Sequence, residues 1–280
     1  MSNILSAEMF KLRKEKVTGI VLLINIVLAV LFAVGMALII QFFGEEMQTA
    51  FQDPEMAGMG MEGMDTLFAG YASNAPSDAF SMFYSQIAIC IGVLAGFFIC
   101  YEFETGTIRN TLSVGKSRTA YYVSKIITLF VAAIVLSIIT TLIYLITMVA
   151  FFEFSIPDGY AVNLLLLIGG KAFIYLTYVT LFTALAFVFR GLAATLGIAI
   201  GFAMLIEPIA IMIFSTDAFS SVSVIRNIFP YHHVLQFNQV FNNGIDGELR
   251  TYLVSAAVCF AMIAVSTLIG IFTFNKRDVK

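Results

Sequence analysis

Six long stretches of the chain are almost free of charged residues, and this feature constrains the fold more than any other. The stretches cover residues 17–43, 79–101, 126–152, 161–189, 192–214 and 251–274. A helix needs about 20 apolar residues to cross the hydrocarbon core of a bilayer, and each stretch reaches that length. Lys171 and Glu207 are the only charged residues within these stretches. The sequence therefore predicts an all-α polytopic membrane protein with six transmembrane helices.

The composition excludes other classes of protein. Hydrophobic residues make up 60% of the chain and charged residues 12%, whereas a soluble domain carries about 25% charge. Disordered chains are polar and charge-rich, so disorder is excluded as well. The net charge of −3 provides no basic surface for a nucleic acid. Three cysteines lie inside apolar runs, which argues against a disulfide framework.

The basic residues predict the orientation in the membrane, because cytoplasmic loops are enriched in Lys and Arg. Six crossings put both termini on one side, together with the segments after spans two and four. That side carries most of the 15 basic residues: Lys11, Arg13, Lys14, Lys16, Arg109, Lys116, Arg118, Lys125, Arg190, Lys276, Arg277 and Lys280. We therefore expect a multi-pass protein of the cell membrane with cytoplasmic N- and C-termini.

The sequence predicts a single transmembrane domain over residues 17–280, with polar segments between its helices. Residues 1–16 have helical periodicity and predict a helix lying along the cytoplasmic surface, although plain flanking charges would look similar. An outer loop is predicted over 44–78, and its Met-rich part (56–65) is expected to be mobile and free of metal, with Cu(I) binding or an apolar contact surface as the alternatives. The outer segment 215–250 contains an apolar part, residues 220–243, that Pro230 divides into two halves too short to span.

The segment between spans two and three (102–125) is too polar for lipid and is strongly patterned. Thr107 is a candidate cap for a short helix, Gly115 a candidate end, and Ser117 a candidate start of the next helix. A short helix projecting into the cytoplasm suits docking of another protein. A simple helix–turn–helix connection is the alternative.

Several of these residues resemble the ABC type-2 permease family. In the 102–125 segment the resemblance lies in Glu102, Gly106, Thr107, Ser117, Arg118 and Lys125. Before the first span Glu8, Lys11, Leu12 and Arg13 are similar to the family's entry segment, and residues 274–278 are similar to its cytoplasmic ending. Six spans, internal termini and an outer segment before the last span fit the same family. The resemblance also implies short outer re-entrant helices between spans five and six, where residues 220–243 lie.

The resemblance implies the transport subunit of an ATP-driven exporter that moves hydrophobic or amphipathic cargo, such as a peptide, an antimicrobial, a lipid or a drug. It implies two copies of a separate ATPase subunit that bind ATP and Mg²⁺, and a second permease subunit, identical or paralogous, within the membrane lipids. No cofactor is expected on this chain. The short helix after span two would be the coupling helix seated on the ATPase, with docking residues Glu102, Glu104, Gly106, Thr107, Arg109 and Arg118.

An ATP site of the chain's own is not expected. A phosphate-binding loop needs Gly-x-x-x-x-Gly-Lys-Ser/Thr after a strand. Residues 115–117 match its last part, but Asn110 occupies the first glycine position. No catalytic residue is predicted, since the spans lack a Ser/His or aspartate pair.

Glu207, Asn25 and Gln86 are candidate residues of a transport pathway. Glu207 lies beside Pro208 in span five, where an ionisable group either lines a cavity or is a neutral, hydrogen-bonded acid. Asn25 and Gln86 are better explained as hydrogen-bond partners between spans. Lys171 is expected to snorkel to the outer interface.

The two histidines, His232 and His233, are adjacent and cannot easily share a metal, so no metal site is predicted. Two other functions stay open. One is an ion-coupled secondary carrier that uses Glu207, and it is weakened because the two halves of the chain show no convincing repeat. The other is a non-transporting membrane scaffold or sensor subunit.

Overall fold

The structure is a computed structural model that describes residues 2–51, 71–113, 117–152, 159–214 and 225–276. Every regular element in these ranges is helical. In chain order the helices are α1 (Ser2–Lys14), α2 (Lys16–Phe51), α3 (Tyr71–Ala95, continuing through a π-helical turn at Gly96–Cys100 into Tyr101–Glu104), α4 (Thr107–Ser113), α5 (Arg118–Phe151), α6 (Tyr160–Phe189), α7 (Leu192–Gly201, continuing through a π-helical turn at Phe202–Ile206 into Glu207–Phe214), α8 (Pro230–Asn243) and α9 (Ile245–Lys276).

Six of the described helices are long and apolar enough to cross a membrane: α2, α3, α5, α6, α7 and α9. Each overlaps one of the apolar stretches of the sequence, so the predicted all-α fold with six transmembrane helices is confirmed. Six crossings bring α1, α4 and the end of α9 to one end of the bundle, which we call the terminal end. The loop that contains α8 lies at the other end, which we call the distal end.

The core of the bundle is aromatic and is centred on α6. This helix packs against α3, α5, α8 and α9. Edge-to-face ring pairs join the helices, among them Phe80 with Tyr175 and Phe83 with Tyr144, with ring centroids 5.9 and 5.8 Å apart. Such pairs stabilise a contact beyond the area that they bury, and they hold α3, α5 and α6 together.

A glycine lets α8 pack closely on α6. A Cβ atom added to Gly170 would lie 2.5 Å from the nearest atom of the Phe237 ring of α8, which is closer than two carbon atoms pack. Phe237 is buried, as are His232, His233 and Val234 on the same helix. α8 is therefore part of the packed bundle and does not lie on its surface.

The smaller predicted elements have helices at the expected places. α1 covers most of the predicted 1–16 helix, α4 begins at Thr107, and α8 lies in the 215–250 segment. Their positions relative to a membrane surface or to the cytoplasm stay predictions. The Met-rich part of the outer loop and Gly115 lie outside the described residues.

Candidate functional site

A buried ionic cluster lies at the terminal end of the bundle and consists of Glu8, Lys11, Glu102, Tyr121 and Lys125. Lys125 is completely buried, and its ammonium group contacts Glu8 at 2.7 Å and Glu102 at 2.8 Å. Lys11 forms a further ion pair with Glu102, and the Tyr121 hydroxyl donates a hydrogen bond to the same carboxylate. Two lysines and two glutamates balance each other, as a buried charge requires.

The ionic cluster joins three parts of the chain that are distant in sequence. Glu8 and Lys11 belong to α1, Glu102 lies at the end of α3, and Lys125 belongs to α5. Lys125 also donates to the backbone carbonyl of Phe98 at 3.2 Å, inside the π-helical turn of α3. The cluster therefore fixes α1 against the bundle through charge-assisted hydrogen bonds, which are stronger than neutral ones.

The six residues predicted to dock an ATPase do not form one exposed surface. Glu102 is only 5% exposed, and its carboxylate is occupied by the ionic cluster. Glu104, Thr107 and Arg109 are exposed. Arg118 is half-buried, and its guanidinium group donates to the backbone carbonyls of Phe274 and Asn275 at 3.0 and 3.3 Å.

The residues from 102 to 118, which we call the α4 segment, connect α4 to the ends of several membrane helices. Glu104 accepts a hydrogen bond from the backbone N–H of Leu192 at the start of α7, at 3.0 Å. Arg118 holds the end of α9, and Glu102 holds α1 and α5. A carboxylate at a helix N-terminus satisfies a free N–H group and complements the helix dipole. The residues on either side of α4 thus contact α7, α9 and α1.

Backbone geometry explains the shape of the α4 segment. Gly106 has a φ of +69°, a conformation that glycine adopts without steric cost. This turn separates the end of α3 from α4, in which Ile108 is buried and Arg109 points outward. Ser117 accepts a hydrogen bond from the N–H of Ala120 at 3.1 Å. The prediction that Ser117 starts the next helix is therefore confirmed.

Glu207 is fully buried and connects α6, α7 and α8. It follows directly after the π-helical turn of α7. Its carboxylate accepts hydrogen bonds from the Tyr178 hydroxyl and from the backbone N–H of Tyr231, each at 2.6 Å. Tyr231 is the second residue of α8, and its ring stacks on Tyr84 of α3 with centroids 4.2 Å apart. Glu207 thus caps the N-terminus of α8 from a neighbouring helix.

Asn25 and Gln86 form the hydrogen bonds between spans that the sequence favours. Asn25 of α2 donates to the Thr140 hydroxyl of α5 at 2.9 Å, and Gln86 of α3 donates to the Asn25 side-chain oxygen at 2.9 Å. These contacts tie three helices together. Whether Asn25, Gln86 or Glu207 also contacts a transported molecule stays a prediction.

Lys171 is enclosed by groups of the chain itself, and its expected snorkelling to the outer interface stays a prediction. Lys171 is 7% exposed, and its ammonium group donates to the Pro76 carbonyl at 3.0 Å and to the Thr141 hydroxyl at 3.2 Å. It also lies over the Phe80 ring, 5.4 Å from the centroid. The apolar sequence around Lys171 could not reveal that a carbonyl of α3 and a hydroxyl of α5 would face it.

The histidines lie side by side on α8, with ring centroids 5.4 Å apart. Burial, together with the nearby Arg226, lowers the pKa of His232 to about 4, so this side chain is neutral at pH 7. His233 contacts the carbonyl of Asn227 at 2.9 Å. The described residues contain no group of three or more His, Cys, Asp or Glu side chains that could hold a metal ion.

A family model for ABC-2 family transporter proteins matches residues 4–206, which is more than half of the chain. The chain belongs to the ABC-2 transporter family. It is therefore a membrane component of an ABC transporter, and membership implies association with an ABC ATPase. A search of curated proteins found no match.

The matched region of this ABC-2 protein includes the whole ionic cluster and the α4 segment. Glu207, α8 and α9 follow after it. Sequence reasoning had selected Glu8, Glu102 and Lys125 singly but missed that they pair, and it missed Tyr178 and Tyr121. Oppositely charged residues at the ends of apolar stretches were the available signal, because burying such a charge requires a partner.

Proposed function

We propose that this chain is the permease subunit of an ATP-driven exporter in the cell membrane, with both termini in the cytoplasm. Two ATPase subunits, which bind ATP and Mg²⁺, dock at the terminal end. A second permease subunit, identical or paralogous, pairs with this one, and a hydrophobic or amphipathic compound leaves the cell between them. Family membership supports the permease role, and the excess of Lys and Arg at the terminal end supports the orientation.

The α4 segment is the observation that carries this proposal. α4 presents Arg109 to solvent, while Glu104 and Arg118 beside it contact the ends of α7 and α9. A partner that moves α4 would therefore move membrane helices as well. Such a connection between an external helix and the bundle is what a subunit driven by a separate ATPase requires.

The residues of the α4 segment have different proposed roles, which depend on whether their side chains are exposed or buried. Arg109 is the docking residue, because its side chain is exposed and lies on α4 itself. Glu102 acts through the ionic cluster, so its removal would disturb α1 and α5 before it altered a docking surface. Glu207 has both carboxylate oxygens engaged in the chain's own hydrogen bonds, which favours a positioning role for it over the ion site of a secondary carrier.

The docking model is tested by Arg109→Glu. A single exposed charge reversal at a docking surface is expected to reduce co-purification of the ATPase, because like charges across an interface cost free energy. The matched control is Arg250→Glu, the same change at an exposed position near the distal end. The measurement is the ratio of ATPase to permease after affinity purification in mild detergent. Equal ratios for the two variants would exclude Arg109 from the docking surface.

A further inference from the structure

Lys171 is a buried cation without an acidic partner among the described residues. The salt bridges between described side chains all belong to the ionic cluster at the terminal end. The groups around the Lys171 ammonium are the Pro76 carbonyl, the Thr141 hydroxyl and the Phe80 ring, all of them neutral. A charge in a membrane span is costly and usually pairs with an opposite charge or marks a binding site. The positive charge of Lys171 is therefore not neutralised by these neighbours.

Lys171 lies in an open groove between α5 and α6, which we call the Lys171 groove. The groove has a volume of about 380 Å³, within the range of small-molecule sites. Its walls include Ile134 and Ile138 of α5 and Leu164 of α6, and its polar groups include Lys171 and Thr141. The site thus combines one cation with a long apolar surface.

The groove opens toward the side of the bundle that faces lipid. Ile138, Leu142 and Ile168 line it and are each about half exposed, at 53%, 50% and 54%. Aliphatic side chains exposed on a transmembrane helix contact acyl chains. A molecule dissolved in the bilayer can therefore enter the groove sideways.

We place Lys171 near the edge of the hydrocarbon core, because the part of α6 that follows it is long enough to cross the bilayer by itself. The charge-free residues that follow it, 172–189, span about 27 Å as a helix, close to the roughly 30 Å thickness of the core. Pro76, which accepts its hydrogen bond, likewise precedes the apolar stretch of α3. Lipid phosphate groups lie at this level, whereas Ile134 and Ile138 lie closer to the middle of α5.

We propose that the Lys171 groove binds an anionic phospholipid of the surrounding bilayer. The lipid phosphate accepts hydrogen bonds from the Lys171 ammonium and the Thr141 hydroxyl. One acyl chain lies along Ile134 and Ile138. Charge complementarity selects an anionic lipid over a zwitterionic one, whose own ammonium group would compete with Lys171. This inference does not depend on the export proposal, since a lipid can bind whether or not the subunit transports.

A fluorescence experiment tests the site, because the chain contains no tryptophan. Leu142→Trp places a single reporter at the groove, and Phe260→Trp places a control reporter on the exposed face of α9. Each full-length variant is reconstituted with phosphatidylglycerol or phosphatidylcholine that carries brominated acyl chains, which quench tryptophan on contact. The measured quantity is the mole fraction of brominated lipid that gives half-maximal quenching.

The expected result is a preference for the anionic lipid of about fivefold at Leu142→Trp, consistent with one basic residue near an anionic headgroup, and equal quenching by the two lipids at Phe260→Trp. Lys171→Gln in the Leu142→Trp background should remove the preference, and Lys171→Arg should keep it. Equal quenching at Leu142→Trp with Lys171 intact would overturn the proposal, as would a preference that survives Lys171→Gln. The comparison of the two lipids at Leu142→Trp decides the question even if Lys171→Gln does not fold.

Discussion

Lys125 is completely buried, and two carboxylates from different helices neutralise it. Desolvating these charges costs free energy that their mutual attraction offsets only while all partners are present. Removal of one partner is therefore more harmful than replacement of the whole set. The same reasoning separates Lys125 from Lys14, the exposed lysine of α1, which contributes little to stability.

Lys125→Met tests this balance. Methionine retains the length of the side chain but leaves Glu8 buried without a cation and Glu102 with Lys11 alone, so we expect a loss of about 3–5 kcal/mol in the free energy of unfolding. Thermal unfolding of the purified protein measures the effect. Lys14→Met, at an exposed position of the same end, is the control. Adding Glu8→Gln to Lys125→Met should restore part of the stability, because it removes the carboxylate that is left unpaired, and no difference from the control would show that the ionic cluster contributes nothing.

At the residue scale, the sequence predicted the type of contact that a polar side chain makes better than the group that it contacts. That Asn25 and Gln86 form hydrogen bonds between spans was predicted, because polar side chains in adjacent spans pair in the absence of water; that they contact each other was not. The groups that surround Lys171 and Glu207 were not predicted. They include a backbone carbonyl of α3 beside Lys171 and a backbone N–H group of α8 beside Glu207. Backbone groups are identical at every position, so a sequence pattern does not reveal which one will face a side chain.

At the scale of elements, α8 depends on a close contact with α6. Gly170 allows the Phe237 ring to lie against the α6 backbone, and Glu207 satisfies an N–H group at the start of α8. The apolar pattern of the sequence predicted a non-spanning segment divided at Pro230, and the family resemblance implied short helices in it. The depth at which α8 is buried could not be predicted, because it results from this particular pair of facing residues.

Gly170→Ala is expected to destabilise the protein by about 1–3 kcal/mol, the usual cost of overpacking a core. Gly19→Ala provides the matched control, because an added Cβ there would meet nothing within 4 Å, and alanine favours a helix over glycine. Both variants are compared by thermal unfolding. Phe237→Leu should partly rescue Gly170→Ala if the ring is the source of the clash. A Gly170→Ala protein as stable as the control would contradict the close packing of α6 and α8.

At the scale of the whole molecule, the lengths of the apolar stretches were sufficient to predict six crossings, because the thickness of a bilayer imposes a minimum length. The contacts that link those helices at the terminal end could not be predicted from the sequence and are seen in the structure. The α4 segment contacts the start of α7 through Glu104 and the end of α9 through Arg118. Under the proposed function, docking and transmission therefore involve different residues of this ABC-2 protein.

Arg118→Gln is expected to weaken transmission to the membrane helices and to leave docking of the ATPase intact. The glutamine side chain loses the contacts of the guanidinium group with the Phe274 and Asn275 carbonyls, while Arg109 stays exposed for docking. Under the proposed function, the ATPase should still co-purify, but transport per ATP hydrolysed should fall about two- to tenfold, a normal range for mutations that weaken coupling. Lys276→Gln at the exposed end of α9 serves as the control. Unchanged transport per ATP would argue against transmission through α9.

The ionic cluster also has a consequence for the synthesis of the protein. Glu8 and Lys125 are 117 residues apart in the chain. At a translation rate of about 5–20 residues per second, Glu8 is made roughly 6–23 s before Lys125. During this interval the Glu8 carboxylate lacks its buried partner and stays in water, because a lone charge is too costly to bury. α1 therefore reaches its final position only after the third membrane helix has begun to emerge from the ribosome.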